Sequence, residues 1–155
     1  MKIHVIAVGK NMPKWVNENF NEYSKRLPKD CQLNLIEITS IKRSSNSDLK
    51  KIQQEEGDEI IKKIPGKSFV AALDEQGLEW STIQLAKELQ KWQENWQNVC
   101  LLIGGPEGLS SRCLQIAHLK LALSRLTFPH PLVRVIIAEQ IYRAWSILNK
   151  HPYHR

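Results

Sequence analysis

Short apolar segments and longer amphipathic segments alternate along the chain from its beginning to its end. The apolar segments are rich in aliphatic and β-branched residues, which predicts strands at 2–8, 32–39, 68–73, 99–103 and 121–128. The amphipathic segments repeat apolar residues three or four positions apart, which predicts helices at 13–27, 48–64, 81–96, 110–119 and 132–149. Trp15 and Val16 are both assigned to the apolar stripe of the first helix. A turn at 74–77 (DEQG) is expected to end the third strand.

This alternation restricts the chain to a small set of architectures. Strands that are apolar along most of their length are typical of a parallel sheet covered on both faces. We therefore expect one α/β domain, residues 1–155, with a mostly parallel central sheet flanked by helices. Ligands of such sheets bind beyond the carboxyl ends of the strands, so the turns that follow the strands are the first candidates for a site.

Cysteine usage and the first residues of the chain bear on the cellular compartment. Cys31, Cys100 and Cys113 are widely spaced and form no CxxC pair, which predicts neither a disulfide framework nor a zinc site. A reducing cytoplasm fits this usage best. The apolar stretch before Gly9 and Lys10 has only about six residues, too few for a signal-peptide core or a membrane span. We therefore expect a cytoplasmic protein without a membrane partner.

The net charge of +6 is concentrated in the last third of the chain. Residues 1–108 hold fifteen Lys and Arg and fifteen Asp and Glu, whereas residues 109–155 hold seven basic residues and one acidic residue, Glu139. This excess is either a solvated surface that aids solubility or a field that attracts a polyanion. With a pI of about 9.3, nucleic acid is the first polyanion to consider. Charge alone supports the two interpretations equally.

The segment IGGPEG at 103–108 places three glycines and a proline after a predicted buried strand. It lacks both the GxGxxG spacing and the GK[ST] ending of known phosphate-binding loops, which disfavours a phosphate ligand. Uncovered backbone N–H and C=O groups, stiffened by Pro106, suit a ligand recognised by its edges, such as an adenine ring and a ribose. A tight turn that binds nothing explains the same residues equally well.

The segment PHP at 129–131 encloses a histidine between two residues of fixed φ, which predicts a stiff loop before the last helix. Such a loop suits the wall of a site, although His130 taken alone is more often structural than catalytic. The last helix is apolar over a wide stripe, which fits burial against the sheet or contact with a second protomer. Glu139 and Arg143 lie four residues apart and are expected to pair.

The chain ends in HPYHR, residues 151–155. Two histidines without carboxylate or cysteine companions make a poor zinc site, so no metal is predicted. Chain ends are often frayed, and the simplest expectation for this segment is a disordered tail.

Five segments together resemble the RlmH family of the SPOUT superfamily, nearly from one end of the chain to the other. They are IHVIAVGKNMPKWV, LDEQG, LLIGGPEGLS, LTFPHPLVRV and IYRAWSILNKHPYHR. The resemblance implies a methyltransferase with a C-terminal trefoil knot, which uses S-adenosylmethionine to methylate N3 of a pseudouridine in 23S ribosomal RNA, in the helix 69 loop. It also implies a homodimer that acts on assembled ribosomes and needs no metal.

The resemblance further assigns binding of the methyl donor to residues around the knot. These are Leu73, Gly104, Gly105, Gly108, Leu123, Ser124, Arg125, Leu126, Thr127 and Phe128. Phe128 stands where leucine is expected in the family. A donor that contains adenosine but no phosphate is consistent with a glycine turn that lacks lysine.

The chemistry implied by the resemblance requires an imide nitrogen of the acceptor to lose its proton. No residue in the sequence stands out as the base. A cation near the developing anion would lower the effective pKa of the imide, and Arg155 is the first candidate for that role, followed by Tyr153 and His130. Glu139 or Arg143 is expected to order the site. Packing of two protomers through the last helix would bring the tail of one chain near the donor pocket of the other.

Two other functions share part of these features. A flavodoxin-like enzyme that binds a nucleotide or a flavin would have the same alternation of strands and helices. Its first turn should be rich in Ser and Thr, whereas here that turn reads VGKNMP. A ribosome-associated RNA-binding protein without catalytic activity would explain the basic last third equally well.

Overall fold

Strands and helices alternate as the sequence predicts in the computed structural model, which describes all of residues 1–155. Their order is β1 (Lys2–Val8), α1 (Lys14–Ser24), β2 (Gln32–Ile38), α2 (Leu49–Lys62), β3 (Ser68–Glu79), α3 (Thr82–Asn95), β4 (Asn98–Ile103), α4 (Ser111–Ile116), β5 (Leu119–Ala122) and α5 (His130–Leu148), followed by a 3-10 turn at Pro152–His154. The strands form one parallel sheet in the order β2-β1-β4-β3-β5. The prediction of an α/β fold with a parallel sheet flanked by helices is confirmed.

Each face of the sheet has its own apolar layer, because successive side chains of a strand point to opposite faces. On β1, Val5 and Ala7 pack on the side of α1, α3 and α5, whereas Ile6 and Val8 pack on the side of α2 and α4. All four of these side chains are buried. Because all five strands are parallel, their carboxyl ends lie along the same edge of the sheet, and helices cover both of its faces.

Three helices begin at polar residues that the sequence marks as caps. The Ser81 hydroxyl accepts a hydrogen bond from the Gln84 amide, and the Gln84 side chain accepts one from the Ser81 amide, which completes the predicted capping box. Asp48 caps α2, and Ser110 caps α4. These contacts satisfy amides that have no acceptor inside the helix.

Two strand boundaries differ from the prediction. The DEQG segment does not end β3: Leu73 and Leu78 both pair with Leu121, so residues 74–77 form a bulge inside a longer strand. The fifth strand was expected at 121–128, but it spans Leu119–Ala122, and the helix before it, expected to reach residue 119, ends at Ile116. β5 is an edge strand that pairs only with β3, and this pairing stops at Ala122, which leaves the following apolar residues as an irregular loop.

Both ends of the last helical segment also differ from expectation. The predicted stiff loop is shorter, because His130 and Pro131 already belong to the first turn of α5, where a proline costs no hydrogen bond. The expectation of a disordered tail is wrong, since the 3-10 turn packs against α5.

Trp15 does not share the buried face of α1. Its side chain is 46% exposed, whereas Val16 is buried, because adjacent residues of a helix lie about 100° apart around the axis. None of the helices combines the length and the apolar character that crossing a bilayer requires. The trefoil knot implied by the resemblance stays a prediction.

Candidate active site

A cavity of about 450 Å³ lies at the carboxyl ends of β4 and β5, beside the bulge of β3 and the start of α5. The turn after β4, the bulge of β3 and the loop after β5 form most of its wall. Nine of the ten donor-binding candidates line it, namely Leu73, Gly104, Gly105, Gly108, Leu123, Ser124, Leu126, Thr127 and Phe128. His130 lines it as well, whereas Arg125 does not. The structure thus brings together segments that are widely separated in the sequence.

The turn after β4, residues 104–108, needs glycine at two positions for different reasons. A Cβ atom on Gly104 would lie 2.4 Å from the carbonyl carbon of Gly108, so the two backbone segments approach too closely for any side chain. Gly108 has φ +81°, a conformation that L side chains rarely adopt. The Gly108 amide donates to the Gly105 carbonyl at 2.9 Å, which closes the turn.

The bulge of β3 contributes Asp74, Glu75 and Gln76 to the cavity wall, in one of the segments after a strand where the sequence analysis expected a ligand. Gly77 lets the bulge return to the sheet, because a Cβ atom there would lie 2.6 Å from the backbone of β5. Their position directly after a buried strand is the signal that made this segment a candidate, although no individual role was assigned to these three residues.

The loop after β5 carries Leu126, whose side chain is 71% exposed although it lines the cavity. The Leu126 amide donates to the Ser124 hydroxyl at 3.0 Å, which holds the loop locally. A large apolar side chain at the mouth of a cavity is available to cover the face of a bound ligand.

His130 is the one catalytic candidate that lines the cavity. Its Nδ1 is buried and has no hydrogen-bond partner. Burial lowers the pKa of His130 below its ordinary value, and the positive charges of Arg134 and Arg43 lower it further. His130 is therefore neutral at pH 7, and its imidazole has one donor nitrogen and one acceptor nitrogen.

Arg134, which sequence analysis did not single out, is completely buried one helical turn after His130. Its guanidinium donates to the carbonyls of Val8 and Gly9 at 3.2 and 2.8 Å and to the Glu37 carboxylate at 2.7 Å. These bonds tie the turn after β1 to the start of α5. A basic residue within the apolar stretch 132–138 of this helix was the available sequence signal.

A second missed group surrounds the outer side of the glycine turn. The Arg43 guanidinium donates to both carboxylate oxygens of Glu107 and to the buried carboxylate of Glu56. These hydrogen bonds lower the pKa of the Glu107 carboxyl. No local pattern could have paired these residues, because Arg43 and Glu107 are 64 positions apart.

The tail packs against the C-terminal half of α5. The Tyr153 hydroxyl donates to Glu139 at 3.1 Å, and the Arg143 guanidinium lies 5.1 Å from the centre of the Tyr153 ring. Glu139 also pairs with Arg143 as predicted, with 2.6 Å between the nearest charged atoms. Burial, followed by the neighbouring Tyr23 and Glu139, raises the pKa of Tyr153, so it remains a phenol at physiological pH.

Tyr153 and Arg155 do not line the cavity of their own chain. Glu139, which holds Tyr153, lies nine residues after His130, about 13 Å along the helix axis. Within one protomer the structure therefore separates two of the three catalytic candidates from the cavity.

Ion pairs remove part of the positive charge of the last third from the surface. Arg112 pairs with Asp58, Arg143 pairs with Glu139, and the buried Arg134 pairs with Glu37. The remaining basic residues are exposed and form no ion pair, namely Lys120, Arg125, Lys150 and Arg155. No group of three or more His, Cys, Asp or Glu is placed to hold a metal ion.

A parallel α/β sheet with a glycine-lined cavity at its carboxyl edge is the arrangement expected of a SPOUT methyltransferase. The family model described as "Predicted SPOUT methyltransferase" matches residues 1–154. Proteins named "Ribosomal RNA large subunit methyltransferase H" are 53% identical in Thioalkalivibrio sulfidiphilus and 52% identical in Marinomonas sp. and Coxiella burnetii, over all of this chain and 99–100% of theirs. The chain therefore belongs to the RlmH family of SPOUT methyltransferases. These relatives do not support the flavodoxin-like or the non-catalytic alternative.

Proposed function

We propose that this protein transfers a methyl group from S-adenosylmethionine to N3 of a pseudouridine in 23S ribosomal RNA, in the helix 69 loop of assembled ribosomes. This substrate puts its site of action in the cytoplasm. The names of the relatives support the same class of RNA substrate for this chain. The observation that carries the proposal is that nine donor-binding candidates, drawn from three separate segments, line one cavity together.

The residues of the cavity fit this donor. Its volume of about 450 Å³ suits a ligand of nucleoside size. No Lys or Arg lines the cavity, whereas the carboxylates of Asp74 and Glu75 do. This lining favours a donor that carries a positive charge and no phosphate. When bound, S-adenosylmethionine supplies a methyl group on a positively charged sulfur.

The chain's own residues would bind, orient and shield the reactants. The backbone of Gly104, Gly105 and Gly108 would hold the donor through N–H and C=O groups, and Leu126 would cover it. Apolar lining residues exclude water, which strengthens electrostatic interactions inside the site. A neutral His130 would supply one hydrogen bond at the wall of the cavity.

A homodimer would complete the site. Tyr153 and Arg155 are held on the far half of α5, so a second protomer is the way for these side chains to reach a donor cavity. There Arg155 would stabilise the anion that develops when the imide loses its proton. The raised pKa of Tyr153 supports a role as hydrogen-bond donor rather than as base. An isologous pair of chains would contain two such composite sites.

Transfer of tritiated methyl groups tests the activity. Ribosomes, separated subunits and free RNA from a strain lacking the modification would be the substrates, and the labelled base would be mapped. We expect label on N3 of one pseudouridine, most rapidly in assembled ribosomes. Absence of label in all three substrates would refute the proposal.

Mixed dimers test whether the site is composite. Arg155→Ala should bind donor normally but methylate slowly, and His130→Ala should also be impaired. When the two variants are mixed in equal amounts and exchange protomers, half of the dimers contain one protomer of each variant. Each of these mixed dimers has one composite site with both His130 and Arg155 and one with neither, so the mixture should recover about one quarter of the parental activity. No recovery on mixing, or an Arg155→Ala protein with the parental rate, would contradict the assignment.

A further inference from the structure

The glycine turn, residues 104–108, has few side chains with which to hold its own shape. Glycine permits many backbone conformations, so an unsupported turn would lose considerable entropy on binding a ligand. A site that recognises its ligand through backbone N–H and C=O groups binds tightly only if these groups are ordered beforehand. The contacts that order this turn therefore affect its affinity for the donor.

The strongest contact to the turn comes from Arg43, in the loop between β2 and α2. Its Nε lies 2.8 Å from Glu107 Oε1 and its Nη2 lies 2.7 Å from Glu107 Oε2, which makes the ion pair bidentate. The guanidinium also covers the backbone, since a Cβ atom on Gly105 would lie 3.1 Å from Nη2. Arg43 therefore restrains the turn in two ways, through its ion pair with the Glu107 side chain and through its packing against the backbone of Gly105.

Arg43 is itself held in place from the opposite side. Glu56, which is only 3% exposed, accepts hydrogen bonds from Arg43 Nη2 at 2.6 Å and Nη1 at 3.1 Å. The Ile41 amide donates to the same carboxylate at 3.0 Å, and the Ile41 carbonyl accepts from Arg43 Nη1 at 2.8 Å. These contacts restrict movement of the Arg43 guanidinium away from the glycine turn.

A second support for the turn reaches it from α2. Gln53 Nε2 donates to the Glu107 carbonyl at 2.8 Å and lies 3.2 Å from the Leu109 carbonyl. Neither Gln53 nor Arg43 lines the cavity, whereas the turn that they hold does. Their effect on a bound ligand is therefore indirect.

We propose that Arg43 is a positioning residue, whose ion pair with Glu107, supported by Glu56, holds the glycine turn in the shape that binds the methyl donor. This inference rests on the proposed function, because the ligand of the cavity is taken to be S-adenosylmethionine. Loss of the ion pair raises the Kd for the donor, while kcat at saturating donor is retained, since Arg43 does not line the cavity.

Two variants break the ion pair in different ways. Glu107→Gln leaves the pairing of Arg43 with Glu56 intact, but Glu107 also lines the cavity, so the double variant, whose residues lie outside the cavity wall, decides the proposal. The double variant Arg43→Met/Glu56→Gln removes the arginine without leaving a buried carboxylate unpaired. We expect each variant to raise the donor Kd roughly ten-fold, the size typical of one charged hydrogen bond.

Arg112→Met is the matched control. Arg112 pairs with Asp58 and so links α4 to α2, but this ion pair is exposed and does not contact the turn. Donor Kd is measured by calorimetry without RNA, and kcat and donor KM are measured with ribosomes. Arg112→Met should match the parental protein in all three quantities.

The outcomes separate this inference from the proposed function. If the parental protein does not bind S-adenosylmethionine, the proposed function fails and this inference fails with it. If the parental protein binds and the double variant Arg43→Met/Glu56→Gln binds with the same Kd, the inference alone is overturned. A lower kcat at saturating donor with an unchanged Kd would also overturn it.

Discussion

Replacement of Gly104 by alanine should disable the donor cavity through a single added methyl group. The Cβ atom of alanine would lie 2.4 Å from the carbonyl carbon of Gly108 and 2.6 Å from the Leu109 nitrogen. These are backbone atoms, which cannot rotate away as the end of a side chain can. The added methyl group must therefore push the two backbone segments of the turn apart.

The size of the effect follows from these distances. Carbon atoms in contact are about 3.5 Å apart at the least, so the turn must open by about 1 Å. That movement would stretch the 2.9 Å hydrogen bond between the Gly108 amide and the Gly105 carbonyl, which closes the turn. Overpacking of this kind costs about 1–3 kcal/mol, equivalent to a Tm lower by roughly 2–12 °C. We expect donor affinity to fall by more than about ten-fold, because the backbone N–H and C=O groups that would hydrogen-bond to the donor are displaced.

Calorimetry with S-adenosylmethionine and a thermal melt measure the two effects separately. Gly66→Ala is the matched control, because Gly66 is exposed in a loop and an added Cβ atom would meet nothing within 4 Å. This control should keep the parental Kd and Tm. A Gly104→Ala protein that binds the donor with the parental Kd would refute the reasoning about the turn.

Three other perturbations test separate parts of the structure. Because the pKa of His130 is lowered in the folded protein, the unfolded chain binds the proton more tightly. The free energy of unfolding of the parental protein should therefore fall as the pH drops below about 6.5. Urea titrations at several pH values should show a smaller fall for His130→Asn. The same pH dependence of the free energy of unfolding in both proteins would contradict this. Arg134→Met leaves buried carbonyls of Val8 and Gly9 without donors and should lower the free energy of unfolding by about 3–5 kcal/mol, unlike the exposed-site control Lys25→Met. Raising salt should weaken methylation of ribosomes while leaving donor Kd unchanged, and salt-independent methylation would count against phosphate contacts.

Local features of this protein could be predicted because they depend on residues a few positions apart. The capping box of Ser81 and Gln84 and the pairing of Glu139 with Arg143 are contacts of this kind. Most of the strands were also evident, because they are apolar along most of their length, and β2 was recognised from its β-branched and partly alternating residues. The glycine turn and the start of α5 were identified as candidate walls of a site from glycine and proline alone, although the family resemblance was needed to name the ligand.

Boundaries that depend on a neighbouring strand could not be predicted. The end of β5 at Ala122 and the bulge at 74–77 both result from how β5 pairs with β3. The exposure of Trp15 depends on which face of α1 meets α5, and the ordered tail depends on Tyr153 reaching Glu139. None of these partners is visible from the residues alone.

The sequence by itself determined which segments become helices and strands, where the helices are capped, and where glycine leaves the backbone uncovered. Tertiary structure alone decided which side chains meet: Arg43 with Glu107, and Arg134 with the turn after β1. The physical reason is the range of the interactions. Helical periodicity and caps act within one or two turns, whereas these contacts exist only because the sheet order β2-β1-β4-β3-β5 brings distant segments to one edge.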